Sequence, residues 1–225
     1  MNDAPVVGAR QRILRSEQIV AVFRIFAGIE PEPKGELDYV NAYTLLVAVA
    51  LSAQATDVSV NAATTALFKQ VTTPQQMLTL GEDRLKDFIK TIGLYNAKAA
   101  NIIKAARILV DEHGGEVPED RAALEALPGV GRKTANVVLQ MYWGHPTIAV
   151  DTHVFRVSNR MGLARGKNPD QVEDGLNRRV PEGFKHHAHH WLILHGRYLC
   201  KARKPECWRC PVADLCCFRE KTAAP

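Results

Sequence analysis

Leu127-Pro128-Gly129-Val130-Gly131-Arg132-Lys133-Thr134-Ala135-Asn136 is the stretch on which the reading of this chain turns. Gly129 and Gly131 carry no Cβ, so the backbone can turn tightly there and approach a ligand closely. A helical pattern follows at once, with Ala135, Val138, Leu139 and Tyr142 recurring at helical spacing. The N–H groups at such a helix start, at the positive end of the dipole, form an anion site, and for a basic protein the expected anion is phosphate. Gly-x-Gly turns also serve as plain connectors between helices, so specificity has to come from neighbouring residues. Two are at hand: Lys133 at the mouth of the helix, and Asp151 after the apolar approach Thr147-Ile148-Ala149-Val150.

Outward from the hairpin, helical periodicity dominates and β-branched alternation is rare, which predicts an all-α protein. Asp38 to Leu51 reads as a buried helix, and Thr56 or Asp57 caps the next, to about Lys69. Thr73-Pro74 has the form of an N-cap followed by proline at the first helical position, opening a short helix through Leu80. Helices over Glu82 to Thr91 and Asn96 to His113 follow, the second stopped by Gly114-Gly115. Pro118 to Ala126 leads into the hairpin and Lys133 to Tyr142 leads out of it. Beyond lie Asp151 to Met161, a helix opened by Asn168-Pro169 and running to about Val180, and one from His186 to about Leu199. Gly93-Leu94-Tyr95-Asn96-Ala97-Lys98 weakly echoes Gly129 to Lys133 as a second glycine turn before a helix.

The chain has 225 residues, 46% hydrophobic and 24% charged, enough to bury a sizeable core as one large domain or two small ones. Its longest apolar run, Leu45 to Leu51, is far too short to span a bilayer, and the N-terminus lacks an apolar secretion core. A cytoplasmic protein with no membrane partner is therefore expected. Lysine and arginine number 29 against 24 acidic residues. Placement matters more than this modest excess: Arg197, Lys201, Arg203, Lys204 and Arg209 crowd one segment, opposed there only by Glu206. Beside a polyanion such a cluster gives salt-dependent, sequence-independent affinity; a solvated face would look the same.

A lysine amine is a nucleophile only when neutral, and at an ordinary pKa of about 10.4 it is almost wholly protonated. A place in the first helical turn beside Arg132 favours the neutral amine, which can form a Schiff base with a sugar or carbonyl carbon. Local sequence alone favours Lys133 as a phosphate contact. Asp151 precedes a run in which Val154, Val157 and Met161 line one side, so it reads as an N-cap. A carboxylate that accepts a proton or stabilises positive charge is compatible with that cap.

All five cysteines lie at Cys200, Cys207, Cys210, Cys216 and Cys217, which excludes a disulfide framework spread through the fold. The spacing of Cys200, Cys207, Cys210 and Cys216 suits one metal centre, and it fits tetrahedral zinc and an iron–sulfur cluster alike. Cys217 is left over as a packed or spare thiol. His186 and His190 stand one helical turn apart but have no acidic or cysteine partner at a supporting spacing. They, with His187 and His189, are assigned to helix surface and packing.

Taken together, these segments resemble the endonuclease III branch of the helix-hairpin-helix DNA glycosylases. The resemblance is carried by Leu51-Ser52-Ala53-Gln54-Ala55-Thr56-Asp57, Ile92-Gly93-Leu94-Tyr95-Asn96, Leu127 to Asn136, Ala149-Val150-Asp151-Thr152-His153 and the four-cysteine tail, in the expected order over about residues 36 to 217. It implies two helical domains with a DNA groove between them. One is a six-helix barrel over 35–145 with the helix-hairpin-helix at about 121–142. The other joins 1–34 to 146–225 and carries a four-iron, four-sulfur (4Fe-4S) cluster on Cys200, Cys207, Cys210 and Cys216.

The resemblance further implies a bifunctional DNA glycosylase and abasic-site lyase of base excision repair, a monomer acting on double-stranded DNA with oxidised pyrimidines or abasic sites. Lys133 would attack the anomeric carbon and expel the base, with Asp151 assisting, and a Schiff base would then lead to strand cleavage by β-elimination. Gln54 and Leu94 would be wedges filling the space of an extruded nucleotide. Gly129, Val130 and Gly131 would grip the DNA backbone, and Lys201, Arg203 and Lys204 would contact phosphates. Adenine-removing glycosylases of similar build lack the lysine at this position and carry a further C-terminal domain, so Lys133 and the short tail after Cys217 set that branch aside. A non-catalytic DNA-binding or electron-transfer protein is the contrasting expectation, and Lys133 with Asp151 discriminates against it. The visible departure from the family is a longer N-terminus before about Arg10.

Overall fold

The computed structural model describes residues 12–225, and the N-terminal extension before about Arg10 lies outside them. Among the described residues there are eleven α-helices and no strand. In chain order they are α1 (Ser16–Ile29), α2 (Ala42–Leu51), α3 (Asp57–Leu67), α4 (Pro74–Leu80), α5 (Glu82–Ile89), α6 (Tyr95–His113), α7 (Arg121–Glu125), α8 (Arg132–Trp143), α9 (Thr152–Met161), α10 (Pro169–Arg179) and α11 (Glu182–Tyr198), with a 3-10 turn at Cys207–Arg209. They fall into two compact units: Lys34–Ala149, and the residues up to Pro33 together with Val150–Pro225.

The Lys34–Ala149 unit is organised around α2. Its sequence, Ala-Tyr-Thr-Leu-Leu-Val-Ala-Val-Ala-Leu, is apolar on every side, and eight of its residues are buried. It packs on α3, α6 and α8, while α4 and α5 lie on α6 and α7 lies on α8. Several of these helices are too short to persist alone in water. Burial holds them: Leu45, Leu51, Leu67, Leu85, Leu109 and Leu124 have no exposed surface, and each such side chain contributes roughly 1.5–3 kcal/mol.

The other unit packs α1 against α11. Ile19, Val22, Phe23 and Phe26 form the buried stripe of α1, with the Phe23 ring 5.8 Å from Phe184 and 6.0 Å from Trp191. Trp191 Nε1 donates to the Glu30 carbonyl at 2.7 Å. Helix α9 lies on α10 and α11. At Gly196 a Cβ would stand 2.8 Å from His153 Cβ, so glycine there permits the close approach of α9 and α11.

Three helix starts differ from the periodicity. The first buried helix begins at Ala42 rather than Asp38, because the Asn41 side chain accepts the Thr44 N–H at 2.9 Å while Thr44 Oγ1 accepts the Asn41 N–H. Asp120 caps α7 by accepting from Ala123 N–H, so that helix starts after Asp120 rather than at Pro118. The histidine helix starts at Glu182, four residues before His186. Its buried face includes His189, His190 and His195, and these polar residues hide the apolar period. His186 is exposed and His189 and His190 are packed, so the run divides between surface and packing. Tyr142 is 44% exposed rather than part of the apolar face of α8.

Candidate active site and cluster loop

The hairpin is built from Leu127 to Gly131. Leu127 and Val130 are buried in the core, and the Val130 N–H donates to the Leu127 carbonyl at 3.0 Å. Val130 therefore holds the turn with both its side chain and its amide. Gly129 adopts φ 81, a left-handed conformation that glycine takes without a Cβ penalty, and a Cβ there would lie 3.1 Å from Asn101 Cβ. Gly131 differs: its φ is −100, and nothing lies within 4 Å of where its Cβ would be. The turn itself thus needs glycine at 129, while at 131 the missing side chain leaves an open approach to the helix start. Gly131 caps α8 without a side-chain hydrogen bond, so the first-turn N–H groups keep their anion-binding character. Lys133 stands in that first turn and is exposed.

Gln54 and Leu94 are the non-glycine residues with positive φ among the described residues, at 57 and 60. Both are exposed, Leu94 by 63%. A left-handed conformation costs a branched or long side chain roughly 1–2 kcal/mol. Lys98, marked in the sequence only as an echo of Lys133, is buried, and Nζ donates to the carbonyls of Leu51 at 2.9 Å and Ala53 at 2.6 Å.

Asp151 belongs to the other unit. It is half-buried and caps α9, with Oδ1 accepting the Val154 N–H at 2.7 Å. The same helix carries two arginines that reach the cysteine loop. Arg156 donates to the carbonyls of Cys200 at 3.0 Å and Gly196 at 2.8 Å. Arg160 donates to those of Lys201 and Ala202, each at 2.7 Å, and its Nη1 lies 3.7 Å from Cys200 Sγ. In the sequence only their spacing of one helical turn on α9 marks these two clamps.

Cys200, Cys207, Cys210 and Cys216 line one cavity together with Arg160, His195 and Pro205. Burial pushes the Cys210 thiol up to about 11, and Cys216, Cys200 and Cys207 act in the same direction. Burial also raises Cys216. Thiols so placed do not ionise together without a positive centre among them. Cys217 stands apart: its N–H donates to Met161 O, and its Sγ packs at the Gly162 turn. In the neighbouring loop Arg203 and Lys204 are exposed, whereas Lys201 Nζ bonds Glu206 at 2.5 Å and Arg209 binds the other oxygen of the same carboxylate. Those two bonds, from Lys201 first, hold the Glu206 carboxyl below its ordinary range. Exposed Tyr198 and Trp208 flank the loop, and neither was singled out by the sequence.

A sequence profile of the HhH-GPD superfamily of base excision DNA repair proteins matches residues 47–182. A second, of the iron–sulfur binding domain of endonuclease III, matches residues 200–216. The chain is 63% identical over 191 residues to endonuclease III of Escherichia coli strain K12, covering 85% of this chain and 90% of that protein. This chain belongs to the endonuclease III family. Endonuclease III of Rickettsia conorii is 56% identical over 203 residues, 90% of this chain and 97% of the relative. A structure of a trapped endonuclease III–DNA covalent intermediate matches with a TM-score of 0.85 and 44% identity, covering 91% of this chain and 96% of that one.

As a member of the endonuclease III family the protein is a DNA-binding glycosylase and abasic-site lyase of base excision repair. Its cofactor is the 4Fe-4S cluster of the family's C-terminal domain. The chain's thiols fit that group: Cys200, Cys207, Cys210 and Cys216 face one cavity, burial resists ionisation of Cys210 and Cys216, and iron would supply the positive charge that thiolates there require. Among the described residues no helix is long and apolar enough to cross a membrane.

Proposed function

We propose that Lys133 is the nucleophile and Schiff-base lysine of this enzyme, that Asp151 assists it, and that the substrates are oxidised or ring-saturated pyrimidines and abasic sites in double-stranded DNA. The observation that carries the reading is the start of α8, where an exposed lysine stands beside a glycine that leaves the first-turn N–H groups approachable. In the reaction, neutral Lys133 Nζ bonds to C1′ of the nucleotide as the bond from C1′ to the base breaks, and the base leaves with a proton. Opening of the sugar ring gives the imine. Loss of a C2′ proton then breaks the C3′–O bond and cuts the strand by β-elimination. Asp151 helps to activate the amine and to stabilise positive charge on the sugar while its Oδ1 caps α9.

A nucleotide must leave the stack before C1′ can be reached, at a cost of a few kcal/mol. Gln54 and Leu94 offset part of that cost by filling the vacated space, one polar toward the orphaned base and one apolar. Their left-handed, exposed conformations support this duty, because strain of that kind persists where it is used. Gly129, Val130 and Gly131 shape the turn that receives the DNA backbone. Lys201, Arg203 and Lys204 serve phosphates, with Arg203 and Lys204 the more available because Glu206 engages Lys201. Cys200, Cys207, Cys210 and Cys216 would hold the cluster, and that anchorage would fix the loop that bears these cations. The enzyme acts as a monomer in the cytoplasm, where its DNA lies.

Borohydride trapping on a duplex with one thymine glycol tests the assignment. The wild-type protein gives a covalent complex and Lys133→Ala gives none. Failure of the wild type to trap, or trapping and cutting by Lys133→Ala at the wild-type rate, would overturn it.

A further inference from the structure

Leu94, just before the start of α6, and Lys98 and Asn101, three residues apart on one face within it, line one cavity of this unit. Lys98 Nζ ties the loop that precedes Gln54 by donating to Leu51 O and Ala53 O at 2.9 and 2.6 Å. Asn101 lies under the hairpin, against Gly129. A cavity of about 200 Å³ opens among these parts, lined by Tyr43, Ala53, Leu94, Lys98, Asn101 and Gly129.

A charged group in this place needs a reason. Lys98 is 9% exposed, and burial pushes its ammonium below the ordinary lysine range. Burying a charge is costly unless it is hydrogen-bonded, and an apolar side chain would pack the same volume without that cost. What the ammonium adds is direction. It meets the carbonyl end of α2, which favours a cation, and it reaches past that helix to the residue next to Gln54.

We propose that Lys98 is a positioning residue for nucleotide extrusion: its two hydrogen bonds fix the Gln54 turn relative to Leu94, so that both wedges enter the duplex in one motion. This rests on the reading of Gln54 and Leu94 as wedges. In this role Lys98 acts through the Gln54 turn, by way of its bonds to Leu51 O and Ala53 O.

Single-turnover rates on two substrates test the proposal. One is a duplex with thymine glycol opposite adenine, where extrusion is needed; the other is an abasic site in a bulge, where it is not. Lys98→Met slows base removal from the paired duplex about tenfold, the value of one charge-assisted hydrogen bond, and changes cutting at the bulge less than about twofold. Fluorescence of 2-aminopurine opposite the lesion rises more slowly in step with the first rate. Lys98→Arg, which restores a cationic donor, recovers most of the loss. Lys98→Gln, which cannot span both carbonyls, gives the same split and serves if the methionine variant does not fold. Equal slowing on both substrates, or no slowing on either, overturns the proposal. Gln54→Ala is run beside them. If it slows extrusion while the Lys98 variants do not, only the role of Lys98 fails; if it too leaves the paired duplex unaffected, the wedge reading fails and the proposal with it.

Discussion

At 129–133 the left-handed residue is Gly129 (φ 81) and the lysine that follows stands in the first turn of α8; at 93–98 the left-handed residue is Leu94 (φ 60) and the lysine stands a turn inside α6. Helical side chains lean toward the N-terminus. A lysine in the first turn therefore projects beyond the helix start, where Lys133 is exposed. A lysine one turn further in leans back over the helix beginning, where Lys98 meets the carbonyls of Leu51 and Ala53. The two turns also carry strain differently. Gly129 adopts its conformation at little cost, while Leu94 carries a cost that the adjacent glycine could have carried instead. A few residues of register leave one lysine exposed and tie the other to backbone carbonyls.

The sharpest contrast is in catalysis. Lys133→Ala should lower single-turnover base removal and strand cutting by at least about a thousandfold, as loss of a nucleophile does, with DNA affinity changed far less in a binding titration. The two hairpin glycines should then separate. Gly129→Ala, forced to φ 81 against Asn101, should lose about 1–3 kcal/mol of stability in urea unfolding. Gly131→Ala, with φ −100 and open space, should cost no more than about 0.5 kcal/mol of stability while weakening DNA binding. Equal destabilisation by both would erase the distinction between a turn glycine and an approach glycine.

The cations of the cluster loop give a third case. Neutralising Lys201, Arg203 and Lys204 to glutamine should reduce the slope of log affinity against log salt by about two rather than three, because Lys201 is paired with Glu206. The smallest effect is expected at Leu94→Gly. Relief of the left-handed strain and the added chain entropy of glycine nearly cancel, so stability should shift by less than about 1 kcal/mol, while base removal from a paired duplex slows.

Much of this was legible in the sequence, and the reasons differ by residue. Thr56, Thr73, Asp151 and Asn168 sit at N-caps because each side chain serves a backbone N–H three residues on, which is a local rule. The helix expected from Asp38 starts instead at Ala42, because Asn41 and Thr44 cap it reciprocally. The division of labour between Gly129 and Gly131 was hidden, since both look alike until Asn101 arrives beneath the first. Lys98, Arg156 and Arg160 were missed for one shared reason: their hydrogen bonds go to backbone carbonyls distant in sequence, which no side-chain pattern marks. The cysteine spacing indicated a metal centre but left zinc and the cluster open, and the family match decided between them.

The central claim is that the first-turn lysine of α8, and no other amine, bonds to the sugar. Borohydride-trapped complex on thymine glycol DNA, digested with protease and nuclease and sequenced by mass spectrometry, reads this directly. The account predicts the reduced sugar adduct on Lys133 alone. An adduct on Lys98, on a lysine of the cluster loop or on the N-terminal amine, with Lys133 unmodified, would contradict it.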